Sequence, residues 1–216
     1  MEQIPFILGL TGGVGAGKST VLDILKEDFG FYVIQADQTA KELMEPGMAG
    51  YEAVCRYLGP DILDGDGRIN RPLMAEIIFG DRQKREEVDR LTHPLTWKRV
   101  MEDAHAHRDQ PVVIEAAIPS KEFRDKCDEM WYLYTSRENR AKRLKASRGY
   151  SDEKIRNIME SQADEDTFRR FSDAVIDNNG TAQETKAQIT LLLQTDLLQT
   201  NGRRPDTSAD KNKTKD

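Results

Sequence analysis

The sequence predicts an α/β fold, a doubly wound five-stranded parallel sheet, and three observations carry that prediction. Five short apolar runs alternate with helical stretches, and several of the runs are continuous. A continuous run suits a strand covered on both faces, the condition of a parallel sheet built from strand–helix–strand crossovers. A glycine-rich stretch stands between the first run and the first helical stretch; in such folds ligands gather there, at the carboxyl ends of the strands. The alternation is then interrupted by residues 38–108, rich in Met, Leu, Glu and Arg and without a buried run, which predicts a mostly helical insertion.

The elements follow in chain order. Residues 4–10 (IPFILGL) read as the first strand, and residues 19–29 place Val21, Ile24, Leu25 and Phe29 at helical spacing. Residues 31–36 (FYVIQA) read as the second strand. Inside the insertion, DILDGDGRIN at 61–70 reads as a tight turn, with Asp and Gly at turn positions. Residues 111–118 (PVVIEAAI), 129–135 (EMWYLYT) and 173–177 (DAVID) complete the five strands. Between the last two, residues 137–170 are charged and helical. Ser151 is placed as an N-cap, and Ile155, Ile158, Met159 and Gln162 share a face. Residues 182–198 form a closing amphipathic helix with Ile189, Leu192, Leu193 and Leu197. From about Thr200 the composition is too polar to bury a core, so 200–216 is expected as an unordered tail. The chain thus divides into one domain over 1–199, with its core in 1–37 and 109–199, and the tail.

Composition narrows the function classes. At 216 residues and a net charge of −6 the chain lacks the basic footprint of a nucleic-acid binder. No window is apolar enough to span a membrane, and the N-terminus enters its first strand without a leader pattern. Two distant cysteines, Cys55 and Cys127, make no disulfide framework and fit a reducing cytoplasm. A monomer or weak oligomer is expected.

The stretch GLTGGVGAGKST at 9–20 carries the chemistry. Gly12, four residues, then Gly17, Lys18 and Ser19 have the phosphate-loop spacing, between a strand and a helix. Glycines let successive N–H groups turn toward one anion. Lys18 adds a mobile charge for the outer phosphates, Ser19 an oxygen suited to Mg²⁺, and the helix N-terminus a favourable dipole. The segment Gly12, Gly13, Val14, Gly15, Ala16, Gly17, Lys18, Ser19 and Thr20 is therefore a candidate nucleotide-phosphate site. Asp37 follows the second strand, placed either to meet an acceptor hydroxyl or to cap the next helix. Glu115 ends the third apolar stretch on the crevice side, as a partner for magnesium's water or as a solvated acid. His93 reads as a structural histidine or a substrate contact. His105 and His107 have no zinc-type partners and read as surface residues, and Trp97 and Trp131 as packing. A calcium loop at 64–67 fails, because Ile62 and Leu73 would occupy ligand positions.

With these residues in place the chain resembles the dephospho-coenzyme A kinase family over residues 4–195. The resemblance rests on LTGGVGAGKST, VIQAD followed by AKEL, MEPG at 44–47, LTHPLTWKR at 91–99, YLYTSRENRAKRLKASRGYSDEKI at 132–155, Gln162 and VIDNNGT at 175–181. It implies a phosphate-loop kinase that transfers the ATP γ-phosphate, with Mg²⁺, to the ribose 3′-hydroxyl of dephospho-CoA. Asp37 would act on that hydroxyl. The insertion, with His93, and Glu115 would serve the substrate. Residues 137–150 would form a lid whose Arg140, Arg143 or Arg148 reaches the phosphates, and loop 177–181, with Asn179, would lie near adenine. Three places depart from the family's usual pattern: Gln35 stands where Asp is frequent, EAAIPSKEF follows the third strand, and Ser147-Arg148 replaces Arg-Asp. Two rivals stay open, a kinase for another nucleoside or nucleotide and a GTPase-like switch. For the second, the nearest guanine-reading string lies in the tail with one residue too many.

Overall fold

The computed structural model describes residues 5–200, and of residues 195–200 the backbone alone. Strands β1 (Ile7–Thr11), β2 (Tyr32–Gln35), β3 (Val112–Glu115), β4 (Glu129–Tyr134) and β5 (Ala174–Asp177) form one sheet. Their order is β2-β3-β1-β4-β5, with every neighbouring pair parallel. Alternation along each strand supplies both faces. Leu8, Leu10, Val113, Trp131, Leu133 and Ile176 face one layer, met by Val21, Leu22 and Leu25 of α1 (Lys18–Phe29) and Ile189 and Leu193 of α10 (Ala182–Thr200). Ile7, Val112, Ile114 and Met130 face the other, against Val100 and Ala104 of α5 (Arg82–Ala106) and Phe123 of α6 (Lys121–Asp125). Burying each of the larger side chains stabilises the fold by about 1.5–3 kcal/mol.

Close packing explains one glycine here. A Cβ on Gly9 would lie 2.8 Å from the Sγ of Cys127, so only bare backbone lets that thiol seat against the sheet. Burial pushes the Cys127 thiol up to about 12, and both cysteines are free. Trp131 is fully buried, while Trp97 stacks on Phe123 at 5.2 Å.

The segment between β2 and β3 is helical as expected, in α2 (Ala36–Glu42), α3 (Ala49–Leu58), α4 (Arg71–Gly80) and α5. Val54, Ile62, Ile69 and Val88 give it a small core of its own. The predicted turn forms: Asp64 Oδ1 accepts from the N–H groups of Asp66 and Arg68, and Leu63 bridges Ile69. Long α5 reaches both cores, with Val88 in one and Val100 and Ala104 in the other. After β4 come α7 (Arg137–Arg148), α8 (Asp152–Glu160) and α9 (Glu165–Arg170), capped by the side chains of Ser136, Ser151 and Asp164.

Several expectations need correction. The third strand stops at Glu115, and Ile118 is 70% exposed. Its neighbour β1 ends at Thr11 and turns into the glycine loop, which removes the pairing partner. Strand one starts at Ile7, after Pro5, which has no N–H for a ladder. His107 is not a free surface residue. Its ring stacks on Tyr32 at 3.5 Å and its Nδ1 lies 2.9 Å from the Asp103 carbonyl. Gln162 lies two residues beyond α8 and turns inward instead of sharing its apolar face. The Leu197 side chain and residues 201–216 lie outside the described residues.

Candidate active site

The strand order brings three chain segments to one edge. Leu10 pairs with Glu115, and Glu115 with Gln35. The loop after β1, the end of β3 and the start of α2 after β2 are therefore neighbours at the carboxyl ends of the strands. Among the described residues no cluster of three or more His, Cys, Asp or Glu could hold a metal.

Residues 12–17 make the loop, and Gly17 caps α1 in the left-handed region with φ 96°. Helix α1 has twelve residues, and the N–H groups at its start have no carbonyl one full turn earlier in the helix to bond. Ser19 is exposed in that turn, and Thr20 donates its N–H to the Gly17 carbonyl at 3.1 Å. Lys18 Nζ donates to the Gly12 carbonyl at 2.7 Å and pairs with Glu115 Oε1 at 3.4 Å. Glu115 is 6% exposed, and its Oε2 accepts from Gln35 Nε2 at 3.3 Å. The buried acid at the end of β3 is thus shared between the loop lysine and the amide at the end of β2. It is not a solvated acid.

Asp37 lies in the first turn of α2, exposed, with no hydrogen-bond or ion-pair partner among the described residues. The capping position belongs to Gln35, so the reading of Asp37 as an N-cap falls. His93 is exposed on α5 ahead of Pro94. No hydrogen bond, ion pair or ring contact among the described residues joins it to the loop.

The arginines of α7 divide by geometry. Arg140 Nε donates to the Val14 carbonyl at 2.9 Å, and its Nη2 donates to Gln162 Oε1. The same Gln162 oxygen accepts the Val14 N–H at 3.2 Å. Arg140 lies across Gly13, where a Cβ would come within 2.4 Å of the guanidinium, and burial holds its pKa below the ordinary arginine value. Arg143 sits behind the loop, donating to the carbonyls of Ala16 (3.0 Å) and Asn178 (2.7 Å). Arg148 is exposed at the end of α7, over the ring of Tyr150 at 5.8 Å. Asn179 Oδ1 accepts from the Ser136 N–H and from Asn139, tying the loop after β5 to the start of α7.

A family model described as dephospho-CoA kinase matches residues 6–184. The chain belongs to the dephospho-CoA kinase family. Its reaction is the ATP-dependent phosphorylation of the 3′-hydroxyl of dephospho-CoA, the last step of coenzyme A biosynthesis. The dephospho-CoA kinase of Carboxydothermus hydrogenoformans is 34% identical, over 87% of this chain and 93% of that protein. That of Streptococcus mutans is 34% identical over 85% and 93%. In fold, the chain resembles TT1252 from Thermus thermophilus (TM-score 0.76, 24% identity, 88% of this chain and 97% of that one). It also resembles a dephospho-CoA kinase from Campylobacter jejuni (TM-score 0.59, 19% identity, 89% and 97%).

Within this dephospho-CoA kinase family member, Gln162, Thr135 and Thr185 had no site role in the sequence reading, and Asn178 had only a place in the loop near adenine. Thr135 Oγ1 lies 2.9 Å from the Ala16 carbonyl, and Asn178 Nδ2 2.7 Å. Only the tertiary fold brings them to the loop. A prediction follows for the loop itself. A Cβ on Gly17 would meet Asn178 Nδ2 at 2.4 Å, in a φ region that costs a side-chain-bearing residue about 1–3 kcal/mol. Gly17→Ala is expected to lower ADP affinity at least about tenfold by titration calorimetry; parental affinity would show that the Asn178 side chain yields.

Proposed function

We propose that this chain performs the family's reaction by direct in-line transfer, with no phosphoenzyme. The observation that carries the assignment of roles is an exposed, unpartnered carboxylate, Asp37, beside the glycine loop and its lysine at one sheet edge. Asp37 receives or orients the proton of the acceptor 3′-hydroxyl, the part a carboxylate takes when phosphoryl transfer is mostly positioning and charge neutralisation. The N–H groups of Gly13, Gly15, Gly17, Lys18 and Ser19 hold the ATP phosphates, those of Val14, Ala16 and Thr20 being bonded within the fold. Lys18 leaves Glu115 for the outer phosphates, a short movement for a side chain already at the loop. Arg140 lies over Gly13 and is the arginine we assign to the transferring phosphate. Arg143 braces the loop from behind, and Arg148, stacked on Tyr150, is left to lid movement.

The oxygen donors fit Mg²⁺. Ser19 presents a hydroxyl in the first turn of α1, Glu115 an acid one strand away, and the absence of a three-acid cluster among the described residues leaves most ligand positions to phosphate and water. When bound there it neutralises phosphate charge. The helical segment between β2 and β3, with His93, takes the CoA side of the acceptor. Helix α7 closes over the phosphates and excludes water, and Asn179 borders the adenine.

The test is ADP release with Mg-ATP and dephospho-CoA, beside wells holding adenosine, AMP or no acceptor. Release that depends on dephospho-CoA, with CoA as product, is expected. Release with adenosine or AMP instead would overturn the acceptor assignment.

A further inference from the structure

We propose that Asn178 and Thr185 are positioning residues that fix the Ala16–Gly17 peptide, and so aim the Gly17 N–H at the nucleotide phosphates. The inference rests on the reading of residues 12–20 as the phosphate site. In a planar trans peptide the C=O and the following N–H point in opposite directions, so whatever holds the Ala16 carbonyl also sets the Gly17 N–H. Three side-chain donors from three elements meet that carbonyl. Asn178 Nδ2 stands at 2.7 Å, Thr135 Oγ1 at 2.9 Å and Arg143 Nη1 at 3.0 Å. All lie behind the loop, so the N–H is turned to the front.

The weight falls on Asn178. Thr135 has one proton, and its hydroxyl also stands 2.9 Å from the Tyr134 carbonyl, so its donation is shared. Arg143 divides its guanidinium between Ala16 and the Asn178 carbonyl. The Asn178 amide is committed. An atom 2.7 Å from a carbonyl oxygen must be a donor, which makes it Nδ2 and turns Oδ1 the other way. There Oδ1 accepts from Thr185 Oγ1 at 2.7 Å, nearer to that hydroxyl than the Thr181 carbonyl at 3.2 Å. Asn178 is 5% exposed and Thr185 0%. Without the Thr185 hydroxyl, Oδ1 would be buried without that donor, and the orientation of the amide would rest on its bond to the Ala16 carbonyl alone. A hydroxyl on α10, two side chains from the ligand, thereby sets the direction of a phosphate-binding N–H.

The experiment replaces Thr185 by Val, which keeps the shape and removes the hydroxyl, and by Ser, which keeps the hydroxyl. ADP affinity is read by titration calorimetry, and kcat and both KM values well below each variant's unfolding midpoint. Thr185→Val is expected to lose about tenfold in ADP affinity and in kcat/KM for ATP, with the KM for dephospho-CoA unchanged. Thr185→Ser is expected to return to within about twofold of the parent. Asn178→Asp reads the same peptide should Thr185→Val not fold. It is isosteric and lies beside Arg143, and it puts an acceptor where the donor stood, so a larger loss of ADP affinity is expected. Parental ADP affinity in the folded variants, even with a lowered midpoint, overturns the proposal, as does equal loss in Val and Ser. ADP binding needs no acceptor. A parent silent toward dephospho-CoA therefore overturns the reaction and not this assignment, whereas parental ADP affinity in the variants does the reverse.

Discussion

Asp37→Asn should lower kcat by about two to four orders of magnitude while ATP affinity stays within about twofold. The side chain is exposed and has no partner among the described residues, so the amide disturbs no native contact and the midpoint of unfolding should hold. Asparagine keeps the size and can still orient a hydroxyl, but it cannot take a proton at neutral pH. Measured kcat with saturating Mg-ATP and dephospho-CoA decides the matter. Turnover at the parental rate would remove Asp37 from the chemistry and leave Lys18, Arg140 and the loop to act by positioning alone.

Lys18→Ala should impair both stages, ATP affinity by about ten- to a hundredfold and turnover by about two to three orders of magnitude. The lysine is the only cation that is paired with Glu115 and also bonded to a loop carbonyl among the described residues. Its removal takes away charge for the outer phosphates and also strands a buried carboxylate with the Gln35 amide as its remaining partner. That carboxylate would then repel the phosphates. Lys18→Ala/Glu115→Gln separates the two effects. If stranding matters, the double variant binds ATP better than Lys18→Ala alone. Kinetics and ATP titrations unchanged from the parent in Lys18→Ala would undo the phosphate assignment of the loop.

Much of this was legible in the residues. The five apolar runs, with Leu8 and Leu10 set against Ile7, or Trp131 and Leu133 against Met130, carry the both-faces burial of a parallel sheet in plain order. The spacing from Gly12 to Ser19 needs no tertiary information, because one turn and one helix start supply all its parts. Strand ends were less legible. The apolar stretch at 116–118 continues past Glu115, yet pairing stops where β1 turns away, and that is a property of the neighbour. The division of labour among Arg140, Arg143 and Arg148 was hidden for a similar reason. On one helix they differ by three, five and eight positions, and only the approach of the loop and of Asn178 separates a residue lying over Gly13 from one lying behind Ala16. Thr185 gives no local sign at all, since its partner lies in the loop after β5 and its own helix would form without it.

Helix α5 has a mechanical meaning. At about 1.5 Å per residue its twenty-five residues make a rod of about 37 Å, rooted at one end in the insertion's core and at the other under the sheet. Pro94 stands between those roots and gives the Arg90 carbonyl no N–H. A lobe on such a rod is not tethered by slack chain. Bending of such a rod would be concentrated at one missing hydrogen bond, with His93 beside it.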